Sequence, residues 1–202
     1  MKVIVSIFTG LIALGFTMTA FAGNAEVGKM APDFSLPGKD GKAVKLSSMQ
    51  GKWVVLEWFN NKCPYVEKHY ETQNMQALQK KYTKKGVQWL SIISSAPGKQ
   101  GHVNTEELAK IDSAWKTHRS NTLFDPSGKV GKMYDAKTTP HMFVIDPQGK
   151  IVYAGAIDDN SSSKQSAVKG AKNYVAAALD SGLKGEAIAV SSTKPYGCSV
   201  KY

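Results

Sequence analysis

Apolar runs of strand length, separated by polar turns, define much of the chain. The run 53–59 is apolar except for one acid, which is typical of a strand buried on both faces and therefore central in a sheet. Residues 87–94 predict a second buried strand. Three shorter strands are predicted at 123–124, 142–146 and 151–157. Turn residues within 30–46 predict an N-terminal β-hairpin in front of them.

Three segments show the helical spacing of apolar residues. The first opens at Cys63-Pro64, because proline suits the first position of a helix. Its buried side is expected to consist of Val66, Tyr70, Met75, Leu78 and Tyr82. A second helix is expected over 105–117, with Thr105 as its cap, and a last, alanine-rich helix over 165–179.

The order of the elements indicates the fold class. It is hairpin, strand, helix, strand, helix, strand, a second hairpin and a final helix. A strand–helix–strand unit gives a parallel pair of strands, and the second hairpin with the last helix adds an antiparallel half. The expected fold class is therefore α/β, with a mixed central sheet flanked by helices and an N-terminal β-hairpin extension.

Residues 1–22 have the organisation of a secretory signal peptide. Lys2 is followed by an apolar run and by Ala20-Phe21-Ala22, a small-residue cleavage motif. The run is short for a membrane span, although an uncleaved anchor is the alternative. Cleavage leaves a domain over 23–182 and a C-terminal tail over 183–202 that carries a cysteine. Export places the chain in an oxidising compartment, a bacterial periplasm or the medium.

Composition and charge exclude several classes of function. Lys and Arg number 26 against 16 Asp and Glu, a formal net charge of +10, yet Arg119 is the only arginine. Nucleic-acid readers rely on arginine for bidentate contacts, so we expect no nucleic-acid partner. Two cysteines are too few for a disulfide scaffold or a four-cysteine zinc site. No cofactor is expected, and membrane contact is expected only through the signal peptide.

Cys63 is the candidate nucleophile, because it lies where the central strand meets the first helix. Unpaired amide groups and the helix dipole at such a junction favour a thiolate, the reactive form in disulfide exchange. Thr139-Pro140, just before a strand, is expected to lie against this junction with a cis peptide bond, offering the Thr139 backbone to an extended peptide. Glu57, an acid in the central strand, is a candidate proton relay for the thiol.

Cys198 is the other thiol and lies in the tail, next to Gly197. Three interpretations stay open. Cys198 is a resolving cysteine that forms a disulfide with Cys63 in a catalytic cycle, or the same disulfide is a permanent staple, or Cys198 pairs with a partner protein. Strain and reduction potential separate the first two.

A metal site is a further alternative. Cys63, Cys198 and His141 form a soft nitrogen and sulfur set that suits Cu(I) or Zn(II), provided that His141, which follows Pro140, faces the thiol. The acidic loop at 158–160 is more typical of a cap than of a calcium site.

The segments around these residues resemble the thioredoxin-like superfamily over nearly the whole mature chain. The likeness is carried by 58–66 (Trp-Phe-Asn-Asn-Lys-Cys-Pro-Tyr-Val), by 139–146 (Thr-Pro-His-Met-Phe-Val-Ile-Asp) and by the tail. They are most similar to the exported peroxiredoxin-like redoxins, relatives of the alkyl hydroperoxide reductase/thiol-specific antioxidant proteins. The resemblance implies a thioredoxin-like fold in which Cys63 is the first cysteine of a Cys-x-x-Cys pair, Pro140 the cis-proline and Glu57 the buried acid.

The chain departs from the pattern of these families at positions that bear on activity. Val66 stands where the second cysteine of the pair belongs, so there is no local dithiol. Two positions that hold proline and threonine or serine in a peroxiredoxin site are here Leu56 and Asn60. A peroxiredoxin also has an arginine at its thiolate, whereas Arg119 falls in another segment. These groups supply the donors for cleavage of the peroxide bond.

The sequence therefore predicts a periplasmic or secreted thiol oxidoreductase that acts on protein thiols or disulfides with an unassigned electron donor. Cys63 attacks, Cys198 resolves, Glu57 relays the proton, and Thr139-Pro140 hold the substrate backbone. The alternatives are a peroxiredoxin-like peroxidase, in which Cys63 is oxidised to a sulfenate, and a non-enzymatic module that binds Cu(I) or a partner protein.

Overall fold

The structure, a computed structural model, describes residues 25–202, and the signal peptide predicted at 1–22 lies outside them. Its strands are β1 (Ser35–Pro37), β2 (Ala43–Lys45), β3 (Val54–Trp58), β4 (Gln88–Ile93), β5 (Asn121–Phe124), β6 (Thr138–Thr139), β7 (His141–Ile145), β8 (Ile151–Gly155) and β9 (Cys198–Ser199). Its α-helices are α1 (Pro64–Glu71), α2 (Asn74–Thr83), α3 (Thr105–Trp115), α4 (Lys129–Met133) and α5 (Tyr174–Gly182). Within this part of the chain, none of the helices has the length and apolar character needed to cross a membrane.

The central sheet has five strands in the order β5–β4–β3–β7–β8. β3 pairs in parallel with β4, and β4 with β5, whereas β7 runs antiparallel to both β3 and β8. β3 is the middle strand and is buried throughout, as the apolar run 53–59 predicted. β1 and β2 form the antiparallel N-terminal hairpin. The predicted fold class, a mixed sheet flanked by helices with a hairpin extension, is confirmed.

Two apolar clusters cover the two faces of this sheet. Alternate side chains of β3 divide between them: Val55 lies in the cluster with α1, α2 and α5, whereas Leu56 and Trp58 lie in the cluster with the hairpin and α4. Cys63 belongs to the first cluster. The face to which a side chain points therefore decides whether it can reach the thiol.

The helix expected to continue from Cys63 to about residue 86 is two helices. Gln73 has a left-handed backbone, with φ of 61°, and separates α1 from α2. The hydroxyl of Thr72 donates to the carbonyl of Lys68 at 2.6 Å, a local side-chain bond of the kind that competes with helix continuation. The apolar spacing alone did not predict this break between α1 and α2.

The last helix is also shorter than predicted. It begins at Tyr174 instead of residue 165. Gly170, with φ of 81°, departs from the helical backbone conformation, and the Asn173 side chain caps the helix. The cap of α3 is Asn104, one residue before the predicted Thr105, and it forms a reciprocal capping box with Glu107.

The C-terminal tail returns to the domain and forms a strand that the sequence did not predict. β9 pairs antiparallel with β6 in a separate two-stranded sheet. This pairing places the tail beside the loop that enters β7, where the candidate site lies.

Candidate active site

Cys63 lies directly before α1, where the predicted junction of strand and helix places it. It is the N-cap residue of the helix, and its carbonyl accepts backbone hydrogen bonds from Val66 and Glu67, both at 2.8 Å. Pro64 occupies the first helical position, where a missing amide proton costs no helical hydrogen bond. Cys63 is completely buried, in the same apolar cluster as Val66.

The cis-proline loop lies against this cysteine. The Thr139–Pro140 peptide bond is cis, as the sequence predicted. The Cys63 thiol donates to the Thr139 carbonyl at 3.0 Å, across 76 positions of sequence. The fold thus brings together the two segments that carried the resemblance.

Cys198 occupies the strand position beside that loop. In the register of β6 and β9 it stands opposite Thr139, whose carbonyl accepts the Cys63 thiol. Both cysteines are free thiols. Burial and then the neighbouring Cys63 thiol raise the pKa of Cys198, which favours the protonated thiol. Four predicted site residues, Cys63, Thr139, Pro140 and Cys198, therefore form one site.

Contacts on both sides of Cys198 hold the tail in place. Beyond it, the Val200 amide donates to the Lys137 carbonyl at 3.2 Å, and the Tyr202 hydroxyl donates to the Ala136 carbonyl at 2.8 Å. The tail is therefore fastened beyond its last strand.

Before Cys198, Gly197 presses its backbone against the cis-proline loop. Its φ of 145° is one that glycine tolerates, and a Cβ there would stand 2.1 Å from the Thr139 carbonyl oxygen. Only glycine allows this close approach, so the tail sequence fits this edge specifically.

Glu57 is completely buried in β3, on the face that carries α1. Its carboxylate accepts hydrogen bonds from Tyr70 at 2.7 Å, Trp89 at 2.8 Å, Ser91 at 2.9 Å and Gln79 at 3.4 Å. Burial and then the Glu57 charge raise the pKa of Tyr70. The Cys63 thiol is not among the donors to Glu57, so the predicted proton relay stays a prediction.

The peroxiredoxin donors expected at the thiolate have other partners here. Arg119 is buried and pairs with Asp112, through the guanidinium Nε at 3.0 Å and a second, shorter contact. The side chain of Asn60 donates to the Gln100 carbonyl at 3.3 Å. Neither side chain forms a described hydrogen bond with the Cys63 sulfur.

His141 does not face the thiol, so the metal alternative that required it was wrong in this respect. Met142 of β7 lies in the Cys63 cluster, and successive strand residues point to opposite faces. On the other face the His141 ring packs 4.7 Å from the Phe143 ring and accepts the Lys137 amide at 3.3 Å. Among residues 25–202, no three His, Cys, Asp or Glu side chains are placed to hold a metal ion.

A buried polar cluster close to the tail cysteine was not predicted from the sequence. Tyr196 donates its hydroxyl proton to Asp158, and the His69 Nε2 atom lies 3.3 Å from the same hydroxyl. For Asp158 the sequence predicts only a cap. A signal was present, since Tyr196 stands two residues before Cys198, but it has meaning only once the path of the tail is known.

A mixed sheet with a cysteine at the start of a helix and a cis-proline loop against its thiol defines a thioredoxin-like thiol protein. The family model described as the AhpC/TSA family matches residues 27–154. The chain belongs to this family. The matched region includes Cys63 and Pro140 but ends before the tail, so family membership does not account for Cys198.

Similar proteins cover most of the chain. The thiol-disulfide oxidoreductase ResA of Bacillus subtilis (strain 168) is 28% identical over 148 residues, 70% of this chain and 76% of that protein. ResA of Geobacillus thermodenitrificans is 30% identical over 145 residues, 70% of this chain and 78% of that protein. A conserved protein of Geobacillus kaustophilus, solved by crystallography, has a TM-score of 0.75 at 29% identity and covers 88% of this chain and 92% of its own.

Proposed function

We propose that this protein is a thiol-disulfide oxidoreductase in which Cys63 is the nucleophile and Cys198 the resolving cysteine. The observation that carries the proposal is the pairing of β6 with β9, which sets Cys198 opposite the residue that accepts the Cys63 thiol. The names of the ResA relatives support the class of reaction. Val66 stands where a Cys-x-x-Cys pair has its second cysteine, so in this proposal the tail supplies the second thiol.

The reaction in the reductive direction has two exchanges. The Cys63 thiolate attacks one sulfur of a substrate disulfide, a mixed disulfide forms, and the other substrate sulfur leaves as a thiolate that takes up a proton. Cys198 then gives up its proton and attacks the Cys63 sulfur, which releases the second substrate thiol. The substrate gains two electrons, and the enzyme loses two as the Cys63–Cys198 disulfide forms. The reverse sequence oxidises a substrate dithiol.

Substrate and tail use the same edge of the cis-proline loop in turn. The Thr139 backbone holds the substrate strand in this proposal, yet β9 already occupies that position. The tail therefore leaves for the first exchange and returns for the second. β9 has two residues, so the pairing that must open is short.

The proposed location is outside the cytoplasm, which residues 1–22 support by their pattern. The proposed substrates are protein thiols or disulfides, and no cofactor takes part. In an oxidising compartment two adjacent thiols become a disulfide unless they are reduced. A reductive function therefore requires a separate thiol electron donor.

Trapping of the mixed disulfide tests both assignments. The mature chain is incubated with a peptide that contains one disulfide, and the adducts are identified by mass spectrometry. Cys198→Ser is expected to accumulate an adduct on Cys63, because the second exchange is lost. Cys63→Ser is expected to form no adduct and to lose turnover, whereas the wild-type chain ends as the internal disulfide.

Two results would contradict these assignments. Peptide reduction by Cys63→Ser at the wild-type rate would exclude Cys63 as the nucleophile, and full turnover by Cys198→Ser would exclude Cys198 from the cycle. Loss of hydrogen peroxide is measured with the same proteins. If peroxide is consumed much faster than the peptide disulfide, the peroxidase alternative replaces the proposal.

A further inference from the structure

Tyr196 connects the tail to α1, the helix that follows Cys63 directly. Its hydroxyl donates to the buried Asp158, which follows β8, and lies 3.3 Å from Nε2 of His69 on α1. His69 is itself completely buried, 3.8 Å from the second oxygen of Asp158. A side chain of the tail, the loop after β8 and α1 therefore meet at one hydroxyl group.

The hydrogen bonds at this hydroxyl run in one direction. The Asn74 amide donates to Nδ1 of His69 at 2.8 Å, so the other ring nitrogen, Nε2, carries the proton and donates to Tyr196. Burial lowers the pKa of His69 to about 3, which keeps the ring neutral. The Tyr196 hydroxyl in turn donates to the carboxyl group of Asp158. Hydrogen bonds linked in this way polarise and strengthen one another.

The ring of Tyr196 is held as well as its hydroxyl. The ammonium of Lys68, the residue before His69, lies 4.7 Å from the centre of the ring. The same ammonium donates to the carbonyls of Asn160 at 2.8 Å and Ser162 at 2.7 Å, which fixes its position. Two consecutive residues of α1, Lys68 and His69, therefore contact Tyr196 of the tail.

We propose that Tyr196 is a positioning residue that holds Cys198 at Cys63 for the resolving step, an inference that rests on the proposed function. Only Gly197 separates the two tail residues, and its backbone is pressed against the Thr139 carbonyl, so a fixed Tyr196 leaves Cys198 little freedom. The helix that contacts Tyr196 also has Cys63 as its N-cap residue. Holding two reacting groups in a fixed relative position raises their effective concentration.

The equilibrium between the dithiol and the disulfide in glutathione buffers measures that effective concentration. Tyr196→Phe removes only the hydroxyl and is expected to disfavour the Cys63–Cys198 disulfide roughly tenfold, a shift of about 30 mV for a two-electron couple. Asp158→Asn is expected to act in the same direction. The double variant is expected to add little, because both changes break the same hydrogen bond.

Tyr174→Phe is the matched control. Its hydroxyl has no hydrogen bond among the described residues, and its ring packs 6.3 Å from that of Tyr153. A wild-type equilibrium in Tyr196→Phe, or an equal shift in Tyr174→Phe, would overturn the positioning role. Measurements well below the urea unfolding transition exclude a general loss of stability as the cause.

Failure of the proposed function and failure of the positioning role give different results. If the wild-type chain forms no Cys63–Cys198 disulfide at any glutathione ratio, the proposed resolving function is wrong. If the disulfide forms in the wild type and its equilibrium is the same in Tyr196→Phe, the proposed function stands and the positioning role is wrong. A second readout is alkylation of Cys63 in the reduced protein, which is expected to be faster in Tyr196→Phe because the tail undocks more often.

Discussion

Glu57→Gln removes a buried negative charge that four side-chain donors surround. Tyr70 donates to one carboxylate oxygen, and Trp89, Ser91 and Gln79 donate to the other. A glutamine keeps a single acceptor oxygen. Its amide nitrogen replaces the other oxygen and points two protons at the donors that were hydrogen-bonded to it. The substitution has nearly the shape of the acid, so the change isolates charge and hydrogen bonding from packing.

The magnitude follows from what each donor loses. If the amide oxygen stays with Trp89 and Ser91, the amide nitrogen faces the Tyr70 hydroxyl, and the Tyr70 proton loses its acceptor. The Tyr70 oxygen already accepts from Gln79 at 3.0 Å. A buried hydrogen bond to a charged group contributes about 1.5–3 kcal/mol, and the remaining bonds weaken when their acceptor becomes neutral. Glu57 also favours the charged form of the buried Arg119. We therefore expect a loss of about 3–5 kcal/mol in the free energy of unfolding.

Urea unfolding at neutral pH of the wild type, Glu57→Gln, Tyr70→Phe and the double variant measures this loss. The two single changes share a bond, so their effects are expected to be less than additive. Glu186→Gln, an exposed acid, is the control and is expected to stay within about 0.5 kcal/mol of the wild type.

A loss below about 1 kcal/mol in Glu57→Gln would refute the view that the carboxylate is an ionised acceptor in this network. The same variant tests the proton relay. If Glu57 exchanges protons with the thiol, the pH profile of Cys63 alkylation shifts in Glu57→Gln. An unchanged profile restricts Glu57 to stabilising the sheet beneath the site.

Two further predictions concern acid stability and the tail. Burial lowers the pKa of His141 from 6.5 to about 4, so between these pH values the unfolded chain binds a proton that the folded chain does not, and stability falls as the pH falls. Between pH 7 and pH 5 the wild type is expected to lose about 2 kcal/mol more than His141→Asn in urea unfolding, and equal losses would refute this. Gly197→Ala places a Cβ 2.1 Å from the Thr139 carbonyl oxygen and is expected to weaken tail docking by about 1–3 kcal/mol, which speeds alkylation of Cys63 roughly tenfold. Gly185→Ala, also at positive φ but with open space around it, is the control, and an equal acceleration in it would contradict the prediction.

Local signals made the position of Cys63 at the strand–helix junction predictable. The apolar run of β3, the loop after it and the proline at the start of α1 all lie within a dozen residues of Cys63, so one window of sequence specifies the junction. The cis-proline loop followed from the architecture, because the loop before β7 had to meet that helix. These parts depend on elements that neighbour one another in the sheet.

Contacts that depend on register or on the path of the tail were not predictable. The partners of Glu57 include Ser91, which stands beside it only because β3 and β4 pair in one particular register. β9 has two residues and no alternation of apolar and polar side chains that could mark it as a strand. It exists because β6 offers an edge, and β6 is itself set by the cis-proline loop.

In the proposed reaction, the remote origin of the second thiol changes what controls the second exchange. In a Cys-x-x-Cys pair the helix itself places both sulfurs, so the second thiol can be removed only by unwinding the helix. Here Cys198 is held by a two-residue strand and by the hydrogen bonds of Tyr196 with Asp158 and with His69 of α1. Each is a local set of hydrogen bonds. Such local contacts open at a free energy well below that of global unfolding. A protein strand that competes with β9 for the Thr139 edge would therefore prolong the Cys63 adduct without disturbing the domain, and the lifetime of that adduct would depend on how tightly Tyr196 recaptures the tail.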